Sequence, residues 1–390
     1  MDIKRLLQHE VDRLAGDLQA LSKRLYEHPE VCFEEQQACA WLSDYLEAHG
    51  YVVERGVGGV ETAFYAHIPG RTAAPKVAIL AEYDALPKIG HGCGHNLIAA
   101  ASVGAAVALR RQIEAIDGSV VVIGTPAEEG GGGKILLLNA GLFDGVDAAM
   151  MFHPSSTTMV GSEALGRIRC TVEFFGKAAH ASGCPDEGIN ALDAMIAFFS
   201  GIGLLRQQLR SEARIHGIIT HGGDAPNIIP DYVSAELYVR ALQLDYLETV
   251  FTKVRECAAG AATMTGADVK ITTDPLRYEP FKRNSALEQA CQCNMERLGF
   301  ESDPPKAGGL GSTDLGNLSQ ALPTIQPILA MCATSIAGHS QEMADATLEP
   351  RGQAVLIKAA KLLAMTAYDY LTSADVREQA AQEFQREAAL

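Results

Sequence analysis

The sequence predicts an α/β protein: a largely parallel sheet domain that carries an inserted ferredoxin-like α+β domain. Two observations predict it. Hydrophobic strand-like runs at 77–83, 119–124 and 147–152 alternate with helical stretches at 96–111 and 134–139, the texture of parallel strands joined through helices. After Gly166 the order becomes strand 167–175, helix 190–209, strands 214–220 and 232–240, helix 246–260 and strand 268–272, a βαββαβ series. The expected division is 1–166, an insertion at 167–280, and a return to the first domain at 281–390.

The chain opens with two helices, 2–27 and 34–49, where apolar residues recur at three- and four-residue spacing. Beyond the insertion come a helix at 285–298, a Gly-rich turn at 308–312, apolar runs through Met331 and a long helix from about Arg351. From Ser373 the tail is polar and rich in Ala, Gln and Glu, a helix end or a frayed one. With 47% hydrophobic and 21% charged residues the composition is that of an ordinary globular protein. The net charge of −16 argues against nucleic acid and anionic lipid as partners. No run is apolar enough to span a bilayer or serve as a signal peptide. Nine irregularly spaced cysteines do not read as a disulfide framework, so a reducing cytoplasm is expected.

Ligands of open parallel sheets bind beyond the carboxyl ends of the strands. The first strand runs into Asp84 and then a Gly-rich turn holding His91, Cys93 and His95; the second runs into Glu128 and Glu129; the third into His153. Thiolate, imidazole and carboxylate converging on one sheet edge make a metal site. Adjacent carboxylates point in different directions, so one can bind metal while the other takes the proton of a metal-bound water, whose pKa zinc lowers to about 7. Residues 130–134, four glycines and Lys134, fail as a phosphate loop, because Glu128 stands where the first glycine is required and Ile135 where Ser or Thr is. In the inserted domain His180, Asn227 and Arg240 are donors suited to an oxyanion and a carboxylate. His339 is a further candidate ligand.

With these residues assembled, the chain resembles the dinuclear-metal aminoacylase/carboxypeptidase family of metallopeptidases. The likeness lies in its amidohydrolase branch, with hippurate hydrolase, auxin-conjugate hydrolase and p-aminobenzoyl-glutamate hydrolase, and is greatest to the aminoacylase-like dipeptidases. The motifs that carry it are Ala81-Glu-Tyr-Asp-Ala-Leu-Pro87, Gly92-Cys-Gly-His-Asn-Leu97, Gly124-Thr-Pro-Ala-Glu-Glu129 and Gly311-Ser-Thr-Asp-Leu-Gly-Asn317. The resemblance implies that Cys93 bridges two divalent ions, with His95 and His153 completing one and Glu129 and His339 the other. Glu128 would be the general base and acid, Asp84 would orient a ligand, and His91 would be a structural neighbour. The insertion would be a lid that also forms a homodimer, with His180 reaching the neighbouring subunit's site to stabilise the oxyanion. Asn227 and Arg240 would hold the substrate's carboxylate. Zinc is the first expectation for both ions, with manganese or nickel as alternatives.

The implied activity is hydrolysis of an amide next to a free carboxylate, in a dipeptide or in an N-acyl or N-aroyl amino acid such as p-aminobenzoyl-glutamate. A catalytically silent binding protein is the remote alternative. One departure stands out: hippurate hydrolase-type sequences carry Asp where this chain has Asn96. That departure favours the dipeptidase or p-aminobenzoyl-glutamate side.

Overall fold

The computed structural model describes residues 2–68, 72–113, 116–161, 163–304 and 310–388, so positions 308 and 309 of the Gly-rich turn lie outside the described residues. The chain runs α1 (Ile3–Glu27), α2 (Gln36–Ala48), β1 (Val52–Arg55), β2 (Phe64–Ile68), β3 (Lys76–Ala81), α3 (His95–Ile113) and β4 (Ser119–Gly124). It continues with α4 (Gly133–Asn139), β5 (Ala148–Met150) and β6 (His153–Ser155). Then come β7 (Gly166–Phe175), α5 (Ala191–Leu205), β8 (Arg214–His221), β9 (Tyr232–Ala241), α6 (Leu244–Thr265) and β10 (Asp268–Thr273). The last part holds α7 (Ser285–Arg297), α8 (Leu315–Ala321), β11 (Thr324–Ile325), β12 (Ile328–Ala330), α9 (Gln341–Ala346), α10 (Pro350–Thr372) and α11 (Ala374–Ala388). These elements form two compact units: 163–281 with 308–316, and the remainder.

The larger unit is built on a six-stranded sheet of order β1-β2-β4-β3-β5-β11. Its β3, β4, β5 and β11 are parallel, as the strand–helix alternation implies. Its other edge is antiparallel, β2 against β4 and β1 against β2, which makes the sheet mixed. Residues 77–81 and all of β4 are buried, which is why they read as unbroken apolar runs. By contrast β1 is largely exposed and β2 alternates, so neither announces itself as a core strand. Helices α1, α3 and α10 pack on one another. The polar tail forms the helix α11, and it docks on the start of α7. The Glu383 carboxylate accepts from the Ser285 and Ala286 N–H groups, while Asn284 Nδ2 donates to the Ala380 carbonyl. A carboxylate satisfying free amides at a helix N-terminus is favourable, and its dependence on α7 hides it from local sequence.

The smaller unit has one antiparallel sheet of order β10-β7-β9-β8, the ferredoxin-like arrangement expected of βαββαβ. One face buries Ile168, Cys170, Val172 and Phe174 of β7 with Val233, Ala235, Leu237 and Val239 of β9, against Met195 and Phe198 of α5 and Val250 and Val254 of α6. The alternate residues of the same strands are polar and lie on the other face. Leu165 N–H donates to the Gly311 carbonyl at 2.8 Å, which ties 310–316 to this unit.

Candidate metal centre

The Gly-rich turn leads straight into α3, whose first residue is His95. Gly94 has a φ of +74°, and a Cβ there would lie 2.5 Å from Pro154 Cγ. Only glycine therefore lets this turn lie against the strand end that carries His153. Beyond β4, Ala127 adopts a φ of 60°, rare for a residue with a side chain, and His339 a φ of 58°. Ala127 is held by the buried Glu35, whose Oε1 accepts its N–H at 2.9 Å. Strain of this kind persists where the surroundings over-determine it.

Two ligand groups result: Cys93, Glu129 and His339, and His95, Glu128 and Glu129, each with its ligand atoms within 4.8 Å of one another. Glu129 belongs to both. Its Oε2 lies 3.6 Å from His339 Nε2, and its Oε1 lies 3.9 Å from His95 Nε2. The histidines are presented as ligands. His95 Nδ1 faces the Asp84 carbonyl at 2.9 Å and Asp84 Oδ1 at 3.1 Å, so that nitrogen donates and Nε2 is the atom turned toward Glu82 and Glu129. His153 Nδ1 likewise donates, to the Pro154 carbonyl at 2.8 Å. His153 stands outside both groups, its ring centre 6.1 Å from that of His95. Asp84 Oδ2 also accepts the Glu129 N–H at 3.0 Å, so one carboxylate orients a residue of each kind.

The electrostatics are those of a cation site. Burial pushes the Cys93 thiol up, and Glu129, Glu128 and Asp84 push it further. Burial alone would lower His95, yet Asp84, Glu82 and Glu129 carry it well above the usual range. Burial would raise Asp84, but His95, the Glu129 N–H and Lys134 outweigh it and hold the carboxyl at about 2. His95 Nε2 and Glu129 Oε1 are both buried without a hydrogen-bond partner. Orphaned buried polar atoms are costly, and a divalent ion would satisfy both, so this donor set fits a metal.

Three residues here escape a reading of the sequence. Glu82 Oε2 lies 3.6 Å from His95 Nε2, and its Oε1 pairs with the fully buried Lys134 Nζ at 2.5 Å. An acid two positions before Asp84 at a strand end is the available signal. Lys134 reads in sequence only as the end of a failed phosphate loop. Glu35, pushed up to about 7 chiefly by burial, lies in the turn before α2, where nothing in the sequence marks it. His91 is a buried structural residue whose Nε2 is 3.2 Å from the Leu25 carbonyl.

Asn96 is also structural. Its buried Nδ2 donates to Ser22 Oγ at 3.0 Å and Thr347 Oγ1 at 3.1 Å, cross-linking α3 to α1 and to the turn after α9. The departure from the hippurate hydrolase pattern thus makes a packing contact in this structure. Asn96→Asp is expected to cost about 2–3 kcal/mol at pH 8 by facing a carboxylate toward oxygens. Because burial would raise that carboxyl's pKa, the loss grows as pH rises and shrinks toward pH 5. Urea denaturation at both pH values measures it, and equal stability of the two proteins at pH 8 would refute the role.

His180 and Asn227 lie together beyond the Phe175–Tyr232 end of the smaller unit's sheet, whereas Arg240 stands near the other end of β9, opposite Arg167. The Ser182 and Gly183 N–H groups approach His180 Nδ1 at 3.3 and 3.1 Å, so Nδ1 accepts and the proton sits on Nε2. That assignment is opposite to those of His95 and His153, whose Nδ1 donates. Ala181 N–H donates to the Asn227 carbonyl at 3.0 Å, which sets His180 and Asn227 on adjacent strands of one loop cluster. Arg240 stands on the open sheet face, Nη1 donating to Ser312 Oγ at 3.0 Å.

Among known proteins, the model for peptidase family M20/M25/M40 matches residues 78–364. The Xaa-Arg dipeptidase of Mus musculus is 38% identical over 98% of this chain and 92% of its own length. A p-aminobenzoyl-glutamate hydrolase component of Escherichia coli (strain K12) is 33% identical over 72% of this chain and 62% of its own. A dinuclear metal-binding M20 peptidase of Bacillus subtilis superposes with a TM-score of 0.70 at 22% identity, over 91% of this chain and 99% of that one. An aminobenzoyl-glutamate utilization protein of Klebsiella pneumoniae gives 0.72 at 20% identity, over 94% and 99%. The chain belongs to peptidase family M20/M25/M40.

Proposed function

We propose that this peptidase hydrolyses the amide of a small substrate next to a free carboxylate, a dipeptide or an N-acyl amino acid, at a centre of two divalent ions. The observation that carries the reading is the pair of ligand groups sharing Glu129. Cys93, His95, Glu129, His153 and His339 would hold the ions, with Cys93 between the two as the family resemblance implies. A thiolate and imidazoles favour zinc, with manganese or nickel as alternatives. Bound there, the ions would supply Lewis acidity toward the attacking water and the carbonyl. Glu128 takes the proton and returns it to the leaving amine. His180 donates its Nε2–H to the developing oxyanion, and Arg240 and Asn227 hold the substrate's carboxylate.

The smaller unit also supports a homodimer. In its sheet β8 is the edge strand, and Ile218 and Ile219 on it are 68% and 45% exposed; Leu204 of α5 is 76% exposed. An unpaired edge bearing apolar side chains is a template for a second copy. All nine cysteines are free, which suits the cytoplasm, and among the described residues no helix is long and apolar enough to cross a membrane.

Mass spectrometry of the metal-replete protein with dipeptides and N-acyl amino acids tests the reading. Cleavage lost to a chelator and restored by added metal is expected. Intact metal content without turnover of any compound would favour the silent binding protein.

A further inference from the structure

Strand pairing places Arg167 of β7, Arg240 of β9 and Arg214 of β8 in one cross-strand row. Residues directly opposite on antiparallel strands share a face, and like charges so placed repel. Their chain neighbours Ile168, Val239 and Ile215 are buried in the core on the other side, so the arginines occupy the face that the helices leave open. Arg214 is answered by the backbone carbonyls of Ser211 and Ala213. Arg169, one step along the same face, has Glu236 at 2.9 Å. Arg167 and Arg240 are different. Among the described residues neither is paired with a carboxylate, and the Nε atom of each is buried without a hydrogen-bond partner. Arg167 is held flat, its guanidinium 4.0 Å above the Tyr278 ring, and Arg240 is anchored on Ser312. Burial and the nearby Arg167 charge both lower the Arg240 pKa.

Two half-buried guanidinium groups fixed side by side, neither paired with a carboxylate among the described residues, are suited to anionic oxygens. We propose that Arg167 and Arg240 together form a dicarboxylate site, so that the amino acid released by this enzyme is an acidic one. Its α-carboxylate rests on Arg240, which is the part that depends on the proposed function, and its side-chain carboxylate rests on Arg167. A basic leaving residue, the kind named for the mouse relative, is repelled by the same pair.

Two measurements on the full-length, metal-replete protein test this. Calorimetric titration with glutarate and butyrate is expected to show glutarate binding at least about 10-fold tighter, the scale of one added charged hydrogen bond. Arg167→Met should erase that difference and Arg167→Lys should keep part of it. Equal affinities in the unaltered protein, or a glutarate preference that survives Arg167→Met, overturn the site. In turnover, N-acetyl-glutamate should exceed N-acetyl-glutamine and N-acetyl-arginine in kcat/KM, and Arg167→Met should lower only the first, by about 10-fold or more. Preference for arginine, or an equal fall for all three, overturns the inference and leaves amide hydrolysis standing. Glutarate binding that depends on Arg167, with no turnover of any amide, supports the site and overturns the proposed function.

Discussion

Glu128→Gln is expected to abolish turnover while the metal content stays at its full value. Glutamine preserves the volume and one acceptor oxygen but cannot take a proton. General acid–base catalysis contributes about 10²–10⁴-fold, and Glu128 would serve both water attack and amine departure, so the loss should lie near the upper end. Glu129→Gln should behave differently. Glu129 belongs to both ligand groups, with its two oxygens 3.6 Å and 3.9 Å from different histidines, so its loss should release metal as well as activity. Elemental analysis alongside steady-state kinetics separates the two. If Glu128→Gln sheds metal and Glu129→Gln keeps it, the two roles are exchanged.

His180→Ala should lower kcat by about 10²–10³-fold, the cost of one oxyanion donor, with little change in KM or metal content. The expectation rests on the tautomer: with Nδ1 occupied by the Ser182 and Gly183 amides, His180 offers a ready Nε2–H at the surface of its unit. Mixing His180→Ala with Glu128→Gln protein tests the homodimer as well. If His180 serves the neighbouring subunit's centre, mixed dimers hold one site with both groups intact and activity returns. Near-normal rates for His180→Ala alone would sink the oxyanion role, and failure of the mixture to recover would sink the shared site.

How far the sequence reached differs from element to element. Strands β3 and β4 were legible because burial on both faces demands unbroken apolar runs, and the insertion because its six elements follow one another locally. Strands β1 and β2 were not: each is short and partly exposed, and only the pairing of β2 with β4 and of β1 with β2 makes an edge of them. That Cys93, His95, Glu128 and Glu129 meet was legible because parallel strands deliver their ends to one sheet edge, while His153 stands outside both ligand groups. Glu82 was not, because its meaning depends on Lys134, which reaches it from another element. The packing role of Asn96 was not legible, since its partners Ser22 and Thr347 come from distant parts of the chain.

The sequence by itself determined the family and its class of chemistry, since side-chain type and order along local elements carry the motifs, and it proposed the ligands and the base. Only the tertiary structure decided the state in which those groups are presented. Asp84 turns His95 Nε2 toward the acids, two backbone amides place a proton on His180 Nε2, and strand register brings Arg167 beside Arg240. Protonation, orientation and charge pairing depend on atoms a few ångströms away, and folding brings most of those atoms from distant parts of the chain.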